Sequence, residues 1–95
     1  MENREIDRLI AEKVMGWRDG TYAKGSWFPS TDIKDAWLIV EKLKHEEGYL
    51  FRLETGDVND WKCLFSDFQD NYWAESDNAP LAICKATLKA NGIII

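Results

Sequence analysis

Histidine, cysteine and proline are scarce in this chain, and each shortage removes a class of function. One histidine, two cysteines and two prolines occur in 95 residues. A lone His45, set in the charged segment KLKHEEG, leaves metal centres and phosphodiesterase-type His/Asp clusters without ligands. No Ser or Cys sits in a turn motif of the kind hydrolases use, and GTYAKGS lacks the GK[ST] order of a phosphate loop. The chain is therefore read as a non-enzyme with no cofactor and no metal. Cys63 and Cys84 fall on core-facing positions and are expected as reduced, buried thiols. No run of ~18 apolar residues exists to cross a membrane. The start, MENREIDRLIAEK, has a helical charge pattern unlike a signal peptide, so a cytoplasmic protein is expected. Cations are also in deficit, 12 Lys and Arg against 17 Asp and Glu, for a net charge of −5. Without a basic stripe, duplex nucleic acid is not an expected partner.

What the chain has in excess is tryptophan, five in all, within an apolar fraction of 45%. That composition suits one folded domain spanning residues 1–95. Ile6, Leu9, Ile10 and Val14 recur at helical spacing and predict a first helix over 5–15, capped by Asn3 and stopped by Gly16. A second helix over 31–44 starts at Ser30 or Thr31 and carries Ile33, Ala36, Trp37, Val40 and Leu43 on its apolar face. YLFRLE (49–54) and WKCLFS (61–66) alternate as strands, with the turn TGDVND between them, and predict an antiparallel pair. Tyr49, Phe51, Leu53, Trp61, Cys63 and Phe65 face one way, while Leu50 and Leu64 face the other and suggest cover on that side too. Residues 72–76 form a candidate third strand. A last helix over 79–90 is capped by Asp77 or Asn78, with Pro80 in its first turn and Asn91-Gly92 as its stop. The terminal Ile93–Ile95 is expected to add an edge strand or to pack against another copy, making a homo-oligomer.

Trp37 and Trp61 are placed in the core by these patterns. Trp17, Trp27 and Trp73 lie at element ends or in a Gly-containing connection, where a large flat ring often serves a ligand or partner. The segment 17–31 is the main candidate site. Trp17, Tyr22, Trp27 and Phe28 offer stacking faces for a nucleobase. Arg18 and Lys24 suit phosphate oxygens, and Ser30 and Thr31 add hydroxyls at a helix start. Trp73, beside Tyr72 in an acidic stretch, is a second contact, with one of the two rings turned inward by alternation. The same loop composition also suits a plug that closes the core while a hydroxyl caps the helix.

IDRLIAEKVMGW (6–17), FPSTDIKDAWLIVEKL (28–43) and APLAICKATL (79–88), in this order, resemble the phage ABA sandwich domain family. The resemblance implies an α+β fold, a three-layer helix–sheet–helix sandwich with an antiparallel sheet of about three or four strands. It also implies a phage or prophage protein acting in the infected bacterial cell, and it carries no catalytic set. In that setting a non-catalytic anti-defence sponge is the leading expectation, one that sequesters a host nucleotide signal of cyclic-dinucleotide or ADP-ribose type. The alternatives are an inhibitor that binds a host protein through its acidic and aromatic surface, and a structural accessory of the phage particle.

Overall fold

The computed structural model describes residues 2–17, 27–58 and 60–93. Helix α1 spans Asn3–Leu9 and continues as a π-helical stretch, Ile10–Val14. Helix α2 spans Ile33–Glu47 and α3 spans Ala79–Ala90. Between them lie β1 (Leu50–Asp57), β2 (Asp60–Ser66) and β3 (Asn71–Ser76). The strands form one antiparallel meander in the order β1-β2-β3, with Phe51 opposite Phe65, Leu53 opposite Cys63, and Cys63 opposite Ala74. The α+β class and the antiparallel sheet are as the sequence indicated, and the third strand is present.

Alternation along the strands decides where the core sits. Cys63, Phe65 and Ala74 are buried, Phe51, Leu53 and Trp61 are packed against them, and all point to the helical side. Helix α3 lies on β2 and β3, α2 reaches β1 and α3, and α1 with its π-helical extension packs on α3. Ala82, Ile83, Cys84, Ala86, Thr87 and Leu88 are all buried, because α3 is enclosed by the sheet and by the other helices. The Thr87 hydroxyl in this apolar setting donates 2.7 Å to the Ile83 carbonyl, the local back-bond that satisfies a buried threonine. Among the described residues, no buried side-chain nitrogen or oxygen lacks a partner.

Of the two leucines expected on the second face of the sheet, Leu50 is 73% exposed and Leu64 is half-buried, beside Trp73 at 37% exposed. Those two leucines signalled an apolar strip, which sequence alone does not distinguish from a covered face.

Helix ends follow local chemistry, with two changes. Asn3 begins α1 instead of capping it, and the N-cap position belongs to Glu2 without a side-chain bond. Asp32 caps α2 by accepting the Lys34 N–H at 2.9 Å, displacing Ser30 and Thr31 from that role. Asn78 caps α3 as expected, accepting the Leu81 N–H at 2.8 Å. Gly48 closes α2 at φ 74°, a left-handed conformation that glycine adopts without steric cost.

Trp37 is not a core residue. Helix α2 buries Ala36, Ile39, Val40 and Leu43, which turns its face toward Ile39 and leaves Trp37 44% exposed and Ile33 exposed as well. The Trp37 ring meets Phe51 edge-on at 5.6 Å, while its indole N–H points outward to Glu41 at 3.1 Å. At the other end of the chain, Ile93 follows α3 and bonds back to the Leu88 carbonyl at 2.9 Å, half-buried against the core. The remaining tail residues, Ile94 and Ile95, lie outside the described residues.

Candidate functional site

The first helix ends in wide turns that set Trp17. The Met15 N–H reaches the Ile10 carbonyl at 2.9 Å, and the Trp17 N–H reaches the Ala11 carbonyl at 2.9 Å. Such π-type widening is uncommon and often accompanies functional positions. Gly16, at φ 74°, turns the chain between them. Trp17 then lies edge-on to Trp27, with ring centroids 4.6 Å apart and planes at 68°. That contact braces an indole that is itself only half-buried.

Trp27 corrects the leading expectation for the ligand site. It is 7% exposed and belongs to the core, and its indole N–H donates 3.1 Å to the Asp7 carbonyl. A ring held by packing on its faces and by a hydrogen bond at its nitrogen offers no stacking surface. Ser30 is likewise fully buried, with its N–H on the Asp7 carboxylate at 2.9 Å and its hydroxyl directed at the Asn3 carbonyl at 3.5 Å. The segment around Trp27 and Ser30 is thus the plug on the core that the loop composition also allowed.

Asp7 is the hub of that plug. Burial raises its carboxyl above the ordinary value, and the Ser30 bonds and the Arg4 charge pull it back down. Phe28 stays exposed, with the Arg4 guanidinium 5.5 Å from its ring centroid and its N–H on the Asp35 carboxylate at 2.8 Å. Thr31 is also exposed, and its hydroxyl lies 3.5 Å from the Phe28 carbonyl. Arg18, Tyr22 and Lys24 lie outside the described residues. Trp73 lies apart from this segment, on the sheet face turned away from Phe65 and Cys63, and Tyr72 is the ring turned inward.

Of the expected residues, the structure therefore joins Trp17 to a new set. Met15, Trp17, Leu38, Glu41, Lys42, His45 and Glu46 line an open groove of about 550 Å³ between the end of the first helix and the outer face of α2. That size lies within the ~300–1,000 Å³ of small-molecule sites. Its floor is apolar and aromatic, from Met15, Trp17 and Leu38. Its rim is charged and internally paired: Lys42 meets Glu46 at 3.2 Å, and His45 Nε2 meets Glu41 at 2.8 Å. The sequence carried one signal for this groove, the apolar Leu38 beside Trp37 on the side of α2 that turns away from the core.

Cys63 and Cys84 are buried free thiols, as expected. Burial pushes the Cys63 thiol up to about 12 and lifts Cys84 well above its ordinary value, so both stay protonated near neutrality. Among the described residues, no group of three His, Cys, Asp or Glu side chains is placed to hold a metal ion, and no helix is long and apolar enough to cross a membrane.

A phage protein from Bacillus cereus, known from a 2.0 Å crystal structure, has a similar fold. The TM-score is 0.78 at 30% identity, covering 93% of this chain and 90% of that one. No curated protein matches the chain. The family model for the phage ABA sandwich domain matches residues 8–88, nearly the whole length. The chain belongs to the phage ABA sandwich domain family.

Proposed function

We propose that this phage protein is a non-catalytic binding protein that sequesters a nucleotide-type signal in the infected bacterial cytoplasm. The observation that carries the reading is Trp17, braced edge-on by the buried Trp27 and lining a groove together with Met15 and Leu38. A half-buried indole fixed in this way stacks a base without first losing side-chain freedom, which favours affinity. The groove's own charges are already paired, so phosphate recognition falls to Arg18 and Lys24, which follow Trp17 in sequence. Phe28 and Thr31, exposed at the far end of the same connection, are the secondary contacts.

Capture without chemistry accords with protonated, buried thiols and a solvent-exposed His45 held by Glu41. Titration calorimetry with a panel of cyclic dinucleotides and ADP-ribose derivatives tests this, followed by mass analysis of the nucleotide released on denaturation. Micromolar or tighter binding with release of unaltered ligand supports the reading. Release of a cleaved nucleotide shows an enzyme instead.

A further inference from the structure

Glu41, in the lining of the groove, presents a carboxylate that is oriented at both oxygens. Its Oε1 accepts the Trp37 indole N–H at 3.1 Å, and its Oε2 lies 2.8 Å from His45 Nε2. Trp37 stands one helical turn before Glu41 and His45 one turn after it. The carboxylate is thus held from two sides, and loss of either donor leaves the other in place. Each carboxylate oxygen has two acceptor sites, so one on each stays available after these contacts. Lys42, the lysine of the groove, is engaged by Glu46 at 3.2 Å and not by Glu41. Trp17 and Leu38 line the same groove and give it an aromatic and apolar surface.

We infer that the groove selects guanine over adenine, with Glu41 reading the edge of the base that Trp17 stacks. The selectivity rests on the proposed capture of a nucleotide and names the base that this site prefers. Stacking itself does not discriminate, because every base has a π-face for the indole. The edge does. Guanine carries two adjacent donors, N1–H and the exocyclic N2–H, spaced to meet the two oxygens of one carboxylate. Both bonds are charge-assisted, and together they fix the base in the plane of the carboxylate. Adenine sets a donor, N6–H, beside an acceptor, N1, whose lone pair is repelled by the carboxylate oxygen opposite it. A bidentate pair of this kind discriminates between bases by roughly tenfold to a hundredfold. Glu41 is half-exposed, so solvent competes for its oxygens and places this groove at the lower end of that range.

Calorimetric titration of the full chain with cyclic di-GMP and cyclic di-AMP, which share a backbone and differ in the base, tests it. The wild-type protein is expected to bind cyclic di-GMP about tenfold more tightly. Glu41→Gln keeps the shape of the side chain but turns one acceptor into a donor, and is expected to erase the preference. Glu75→Gln, on β3 and outside the groove lining, is expected to leave it unchanged. Far-UV circular dichroism confirms that both variants are folded. Equal affinity for the two ligands, or tighter binding of cyclic di-AMP or ADP-ribose, overturns the selectivity and leaves the proposed capture standing. A guanine preference that survives Glu41→Gln, or that Glu75→Gln removes equally, also overturns it. Failure of every nucleotide to bind overturns the capture and the selectivity together.

Discussion

Asp7 holds Trp27 and Ser30 with two different groups: its main-chain carbonyl accepts the indole N–H at 3.1 Å, and its carboxylate accepts the Ser30 N–H at 2.9 Å. One residue of the first helix thus fixes the entry to α2, and with it the ring against which Trp17 is braced. Trp27→Ala removes a buried indole and its bond, and is expected to cost about 3–5 kcal/mol of stability. Trp27→Phe keeps most of the packing but leaves the Asp7 carbonyl without that donor, and should cost less. Urea unfolding monitored by far-UV circular dichroism measures both. A Trp27→Ala variant of wild-type stability would place Trp27 outside the core.

The buried Asp7 carboxyl makes stability depend on pH in a defined direction. Burial raises its folded value above 3.8, so the folded chain holds the proton to higher pH than the unfolded one. The stability linked to this site is therefore full below 3.8 and is lost as pH climbs through the raised folded value. Asp7→Asn does not titrate there. The wild-type stability minus that of Asp7→Asn is expected to fall as pH rises from 3.8 and then to level off. A difference that grows with pH over the same range would contradict the assignment.

How far the sequence was legible depends on how many faces of an element are apolar. The strands alternate cleanly, so Phe51, Leu53, Cys63 and Phe65 were placed on the core side and Trp73 was separable from Tyr72. In α2, apolar residues at 33, 36, 37, 38, 39, 40 and 43 run most of the way round the helix. Periodicity then finds Ala36, Val40 and Leu43 but does not decide between Trp37 and Ile39 as their neighbour. Trp27 was misplaced for a different reason. Its burial depends on a bond to Asp7, distant in sequence, and no local pattern encodes that. Ser30 failed similarly, because a serine before a helix reads as a cap while its main chain is in fact bound to the Asp7 carboxylate. The groove was missed because it forms only where the end of the first helix meets α2.

The two thiols give a check on the core that is independent of mutation. With Cys63 held up to about 12 and Cys84 buried beside the core, neither presents a thiolate to solvent near neutral pH. A thiol reagent such as dithiobis(nitrobenzoate) should leave both unmodified in the native protein and react with both in urea. Prompt labelling of either under native conditions would show that the packing of α3 on β2 opens readily.

The proposed capture of a nucleotide rests on Trp17, and calorimetric titration of the wild-type, Trp17→Ala and Trp37→Ala proteins with cyclic dinucleotides and ADP-ribose derivatives tests it most directly. The wild-type protein is expected to bind. Trp17→Ala is expected to lose about 1–3 kcal/mol of affinity, whereas Trp37→Ala, which removes a ring outside the groove lining, changes it little. Absence of binding by every member of the panel, or equal losses from the two substitutions, would contradict it.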